Sequence, residues 1–311
     1  MNASEIIARD IFTKSTDTED FELSEIEEGD ISDTFLFETY SDKYIVQISK
    51  ENKNNLAVGA AAYMALEEDN KIPTPSVKDS RLFKTPYSIT ELLEGENMSH
   101  MTPEEDVARE LSYQAGEYLA EIHNKFPRRK SGYIRPTPRL KPLKSRNWRD
   151  FFEERLFNKE AGDAFPETLI SEAESYIEQN MSNLPENPDT TVLHNDYDPS
   201  NLLSDGENIT GVLDFGSAII GDPDYDFVKA KVNFDRDKTY CAEMLQKGYT
   251  SKKELGEDFG DKEEFYTVES SLRHLYALDF LDRNVRDIPD REIRKAEEYL
   301  EEVLYSSKAL V

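Results

Sequence analysis

The stretch HNDYDPSN, His194 to Asn201, constrains this chain more than any other, because LDFG follows it with Asp214 thirteen residues after Asn201. Phosphoryl transfer asks little covalent chemistry of a protein. It needs an acceptor held in line, a carboxylate to take the acceptor's proton, and oxygen ligands for magnesium. In this stretch Asp196 can stand at a loop tip facing an acceptor hydroxyl. Asn201 offers a carbonyl oxygen at the far end of the same loop, and Asp214 returns a carboxylate to the same mouth on a later strand. Magnesium prefers such hard oxygen ligands and keeps waters or substrate phosphates besides. Asp, Asn, Pro and Ser are also ordinary turn formers. A turn alone, however, does not call for the later Asp-Phe-Gly.

The surrounding pattern is consistent with a platform for that loop. TVLH, NLLS and ITGVLDF read as short strands, and DGEN between the last two suits a hairpin turn. In the N-terminal third, FELSEIEEG, TFLFET and KYIVQIS alternate as strands do, and Leu56–Glu68 reads as an Ala-rich helix stopped by IPTP. Thr102 and Pro103 predict a helix start, as N-cap and first residue, for a helix running to about His123. WRDFFEERLF, ETLISEAESYIEQNM, FYTVESSLRHLYALDFLDR and REIRKAEEYLEEVLY all carry helical spacing. The division between a sheet-rich part, 1–95, and a mainly helical part, 96–311, falls near Gly95.

Of 311 residues, 65 are Asp or Glu and 37 are Lys or Arg, a net charge of -28 spread along the whole chain. Such a surface repels nucleic-acid phosphates and anionic membranes. Dispersed acids are also a halophilic device, since salt screens their repulsion. A high-salt cytoplasm is the leading explanation, and an ordinary acidic protein the plainer one. The single cysteine, Cys241, excludes an internal disulfide and a cysteine-built zinc site. No run is apolar enough for a membrane span and the start lacks a signal peptide's pattern, so the expectation is a cytoplasmic protein.

The residues HNDYDPSN, LDFG and the downstream GDPDYDF, Gly221–Phe227, together resemble the aminoglycoside phosphotransferase and choline kinase superfamily. In motif they are most similar to the 2″-aminoglycoside phosphotransferase branch. The resemblance implies a protein-kinase-like two-lobed α+β fold. A small antiparallel sheet with one helix would form the nucleotide-binding lobe, and a larger helical lobe would carry catalysis and the acceptor. It implies transfer of the γ-phosphate of ATP or GTP to a hydroxyl of a small molecule, with Mg2+. Asp196 would be the catalytic base, with His194 bracing its loop, and Asn201 and Asp214 would hold the metal. Asp226 would tie the loop to the following helix, Asp198 would be a loop or acceptor-side residue at most, and His123 would be a packed or capping group. Gly29, Ser32, Gln47 and Glu91 would line the nucleotide site.

Two positions depart from the family pattern. Gln47 stands where a Lys or Arg normally meets the phosphates, and Gly59 falls near the Glu that pairs with that cation. Lys43 shares the face of Gln47 but lies about 13 Å along the strand, and Lys50 points to the other face. Three readings stay open: an aminoglycoside-type enzyme, a metabolic kinase for choline, homoserine or a sugar amine, and a catalytically weak nucleotide-binding protein. Glu269, Asp279 and Asp282 would suit a cationic acceptor, with a solvated face as the plainer reading. His100 and His274 read as surface or core residues.

Overall fold

A computed structural model of the chain describes residues 2–26, 32–50, 55–67, 71–81, 85–137, 139–156 and 165–308. The helix α1 (Ala3–Thr16) is followed by the strands β1 (Glu22–Ile26), β2 (Ser32–Glu38) and β3 (Lys43–Ser49). After α2 (Asn55–Glu67) come β4 (Val77–Arg81) and β5 (Tyr87–Glu91). These strands form one antiparallel sheet in the order β1-β2-β3-β5-β4. Alternation sorts its two faces. Phe35, Phe37, Val46, Ile48 and Ile89 point one way and pack against Ala8 and Phe12 of α1. The Phe12 and Phe37 rings stack 4.3 Å apart. The opposite face carries Ser32, Thr34, Gln47 and Ser88, a polar stripe, with α2 packed beneath it.

The chain leaves this sheet after Glu91. Gly95, at φ 135°, allows the turn that sends β6 (Glu96–Asn97) into a second sheet, β10-β9-β6. A third small sheet has the order β7-β11-β8. The strands are β7 (Gly132–Tyr133), β8 (Thr191–Leu193), β9 (Leu202–Ser204), β10 (Ile209–Val212) and β11 (Ile219–Gly221). Around them lie α3 (Glu105–Lys125), α4 (Trp148–Leu156), α5 (Glu167–Asn180), α6 (Pro223–Asp237), α7 (Ala242–Lys252), α8 (Phe259–Asn284) and α9 (Asp290–Lys308). The result is a small sheet part with α1 and α2 joined to a larger helical part, a mixed α+β architecture. No helix among the described residues is long and apolar enough to cross a membrane.

Most helices expected from periodicity form where the spacing puts them, and DGEN makes its hairpin turn. There the Asp205 side chain accepts from the amides of Glu207 and Asn208. The start of α3 differs. Thr102 and Pro103 stay outside it, Glu104 takes the N-cap place, and Glu105 and Asp106 complement the helix's positive end. The strands β8, β9, β10 and β11 and the helix α6 frame the loop from His194 to Asn201. Gly221 ends β11 against Trp148, and a Cβ there would lie 2.2 Å from the indole ring, so only glycine fits. Asp222 caps α6, with Pro223 in its first turn. Asp222 also accepts from Lys262 and Tyr266, whose hydroxyl in turn accepts from the Trp148 indole. Lys262 is buried among Asp222, Asp224 and Asp258. Burial opposes its charge, but these carboxylates hold its pKa above the ordinary lysine value.

Candidate active site

The strand β8 delivers His194 into a fully buried position. Its Nε2 donates to the Leu213 carbonyl at 2.8 Å and its ring lies 4.4 Å from that of Phe215. The histidine therefore clamps the loop to the Asp-Phe-Gly segment and does not reach the loop's mouth. That geometry suits a positioning residue better than a proton carrier. The next turn needs a left-handed residue, and Asn195 supplies it at φ 63°. Its side chain donates to the Ser217 carbonyl, a second tie between the same two segments.

Asp226 on α6 holds the loop from below. Its carboxylate accepts from the backbone amides of His194 and Asn195, each at 2.7 Å, and from His123 Nε2 at 3.1 Å. Burial on its own would raise this carboxyl. The hydrogen bond and charge of His123, the charge of His194 and the Asn195 amide hold it below the usual carboxylate range. His123 also bonds the Tyr249 hydroxyl at 2.8 Å. It is thus packed, as expected, but it is also part of the loop's brace.

These ties leave Asp196 half-buried at the loop tip. Asn201 donates its Nδ2 to the Asp196 carbonyl at 2.8 Å and lies 3.4 Å from an Asp196 carboxylate oxygen. With its amide hydrogens so occupied, Asn201 keeps its side-chain oxygen for another partner. Its own carbonyl accepts from the Leu213 amide at 2.8 Å, which sets Asn201 beside the residue that precedes Asp214. Asp214 is exposed and left-handed, at φ 54°, and its Oδ1 accepts from the Gly216 amide. Its amide faces the Tyr63 hydroxyl of α2 at 2.8 Å. Two hard oxygen ligands thus stand on hydrogen-bonded neighbouring segments, a donor set that fits magnesium better than a soft metal.

The sheet-side residues are less concentrated. Ser32 begins β2, with its hydroxyl 3.4 Å from that of Thr34. Gln47 lies opposite Thr34 and Ser88 on the polar face, and Ser88 Oγ lies 3.5 Å from its Oε1. Lys43, farther along that face, is paired with Glu38. Glu91 ends β5 with an exposed side chain, where the chain leaves the sheet. Gly29 lies outside the described residues. Gly59 faces the Asp-Phe-Gly turn, and a Cβ there would sit 3.6 Å from the Gly216 nitrogen, an ordinary contact.

A cavity of about 820 Å³ opens beside Asp196, running from Asn55 and Gly216 to the helices α6 and α8. Asp198 lies on its wall, as an acceptor-side residue would. The three acids expected to draw a cationic acceptor do not line it. Glu269 is buried and holds Arg273, Asp279 is buried and holds Arg283, and Asp282 accepts from the Ile288 amide. Neither the acceptor reading nor the solvated-face reading of Glu269 and Asp279 stands, because both are ion-paired inside the helix packing. The cavity instead presents Lys229 and Arg236 from α6, Arg273 and His274 from α8, and Arg155 from α4. Sequence reasoning passed over the four cations and read His274 as a surface or core residue. The only signal was spacing: 229, 233 and 236 recur as one helix face, and so do 270, 273, 274 and 277.

With this geometry in view, comparison with known proteins is direct. The sequence pattern of the phosphotransferase enzyme family (APH) matches residues 22–259. A homoserine kinase of Brucella ovis (strain ATCC 25840 / 63/290 / NCTC 10512) is 26% identical over 255 residues, covering 76% of this chain and 72% of that one. The crystal structure of aminoglycoside phosphotransferase APH(4)-Ia superposes with a TM-score of 0.74 at 18% identity, over 98% of this chain and 99% of that one. A thermostable mutant of that protein has been solved as a ternary complex with AMP-PNP and hygromycin B, and superposes at 0.71 and 18% identity over 96% and 98% of the two chains. The gentamicin–APH(2″)-IIa complex superposes at 0.57 and 18% identity, over 98% and 96%. The order of strands, the braced loop and the extent of the family match agree: this chain belongs to the phosphotransferase enzyme family.

Proposed function

We propose that the protein transfers the γ-phosphate of ATP or GTP to a hydroxyl of a small molecule, with Asp196 as the base. The observation that carries this reading is the junction of Asp196, Asn201 and Asp214. Asn201 touches Asp196 through its side chain and the segment leading to Asp214 through its carbonyl. Asp196 faces the cavity and takes the proton of the acceptor hydroxyl. That oxygen forms the new bond to the γ-phosphorus, and the bond to the bridging oxygen breaks to release nucleoside diphosphate. Asn201 Oδ1 and the Asp214 carboxylate would hold Mg2+, which when bound neutralises charge on the phosphates. Among the described residues no three His, Cys, Asp or Glu cluster as a metal cage, so the remaining ligands would come from the phosphates and water. Asp226, His123 and His194 keep the loop in place without touching substrate. Ser32, Gln47, Gly29 and Glu91 belong to the nucleotide side in this reading, and Gln47 meets phosphate without a full charge. A metabolic acceptor is favoured over an aminoglycoside by the charge of the cavity wall. The working compartment would be the cytoplasm of a cell with high internal salt.

The test is Asp196→Asn. Turnover should fall by roughly 10²–10⁴-fold, the worth of general base catalysis, while nucleotide binding with magnesium persists. Full activity in this variant would remove Asp196 from its assigned role.

A further inference from the structure

The charge on the acceptor cavity runs against the charge of the chain. Acids outnumber bases 65 to 37 in the sequence. Yet the described residues lining this cavity include four cations, Arg155, Lys229, Arg236 and Arg273, against two carboxylates, Asp196 and Asp198. Two helix faces make this wall. Lys229, Asn233 and Arg236 project from α6, and Arg273 and His274 face them from α8. An acidic protein that concentrates cations in one half-enclosed place bears a desolvation cost there unless a ligand supplies the counter-charge.

Internal partners supply it for one of the four cations and not for the other three. Arg273 is satisfied, since its Nε donates to buried Glu269 at 2.6 Å. Arg155 lies over the rings of Phe151 and Tyr225, and its Nη1 is buried with no hydrogen-bond partner among the described residues. Lys229 donates to the Asn195 carbonyl, a neutral partner. Arg236 makes no hydrogen bond and no ion pair with any described residue. Burial lowers the pKa of Lys229 although Asp196 opposes the shift, and burial likewise lowers that of Arg236 although Asp198 opposes it. Burial, with Arg236 and Lys229 nearby, pushes His274 down to about 3, so it stays a neutral donor and acceptor at pH 7.

We infer that the acceptor carries an oxyanion, a carboxylate or a phosphate ester, which Arg236 and its neighbours hold while the acceptor's hydroxyl is presented to Asp196. This inference rests on the phosphotransferase reading above and adds the acceptor's charge to it. A polyamine fits badly, because its ammonium groups would meet three cations that have no carboxylate ion pair among the described residues, Arg155, Lys229 and Arg236. The alternative is that the cations serve the donor's phosphates. Lys229 stands close enough to the loop for that. Arg236 is seven residues on, two turns or about 10 Å along the helix, which places it beyond the same phosphate group.

The experiment uses the full chain loaded with magnesium and AMP-PNP. Its melting temperature and calorimetric affinity are followed with matched probes. L-Homoserine, L-serine and glycerate are each paired with their carboxamides, beside glycerol 3-phosphate, ethanolamine and kanamycin. At least one carboxylate or the phosphate ester should bind, and the matched neutral or cationic compound should bind more than tenfold more weakly. The two oxyanion sources separate by which arm responds. Arg236→Gln should weaken the anionic probe roughly 10- to 100-fold, the worth of a charged hydrogen bond, and Arg236→Lys should restore part of it. The unliganded Arg236→Gln protein should melt no lower than wild type, because an unpaired cation has been removed. Three results would overturn the inference: binding by the amines in preference to the anions, no binding by any anionic probe, or a loss of nucleotide affinity in Arg236→Gln equal to the loss of acceptor affinity. The magnesium-dependent binding of nucleotide to wild type is read separately. Its absence would sink the phosphotransferase reading itself and not merely the acceptor's charge.

Discussion

Replacing Asp226 with Asn probes the brace that holds the loop from His194 to Asn201. The buried carboxylate accepts three hydrogen bonds, two from backbone amides at 2.7 Å and one from His123 at 3.1 Å. An Asn keeps one acceptor oxygen and presents an NH2 group to at least one of those donors. One charge-assisted bond worth about 1.5–3 kcal/mol is lost, and a buried donor left unsatisfied costs about 1–3 kcal/mol more. The sum, roughly 2.5–6 kcal/mol, brackets the roughly 3–5 kcal/mol typical for breaking a buried charged pair, which is the range taken here. At about 2–4 °C per kcal/mol for a large domain, the melting temperature should fall by roughly 6–20 °C. The pH dependence has a definite sign. The folded pKa of Asp226 is depressed, so its contribution is present above the unfolded carboxylate value and is lost as pH falls through the folded one. Wild type should therefore lose stability on acidification more steeply than Asp226→Asn. Scanning calorimetry between pH 7 and acid checks both. A variant that melts within about 2 °C of wild type, with the same acid slope, would refute the brace.

Two further outcomes follow from charge. The net charge of -28 predicts a higher melting temperature in molar potassium chloride than in dilute buffer; a flat or falling profile would remove the high-salt reading. Gln47→Lys places a cation on the polar face of β3 opposite Thr34 and Ser88. Nucleotide should then bind with unchanged affinity or up to roughly fivefold tighter, about 1 kcal/mol, in a titration with magnesium. Clear weakening would mean that Gln47 does not face the phosphates.

Much of the candidate site was legible because its parts are close in sequence and each residue type has a chemical reason to be there. His194, Asp196, Asn201 and Asp214 span two short segments, and the strands between them announce themselves by a hairpin turn. Helices such as α5 and α8 were legible from spacing alone. Other features depend on contacts that sequence order hides. The helix α1 buries only Ala8 and Phe12 completely, and its reason for forming is the aromatic face of a sheet that comes later in the chain. Glu269 and Asp279 look like solvated acids until the packing of α8 encloses them with Arg273 and Arg283. Lys229 and Arg236 look like surface charges on α6 until α8 closes over the same face. His274 had no partner pattern in sequence because its neighbours, Arg236 and Lys229, come from another helix.

The central claim is that Asp214 and Asn201 hold a metal that joins nucleotide to the loop of Asp196. Calorimetric titration of AMP-PNP with and without magnesium, on wild type and on Asp214→Asn, tests it most directly. Wild type should bind the nucleotide far more tightly with magnesium than without, and Asp214→Asn should lose most of that difference while keeping its melting temperature. Equal magnesium dependence in the two proteins would contradict the assignment of Asp214, and no binding by wild type at any salt concentration would contradict the account as a whole.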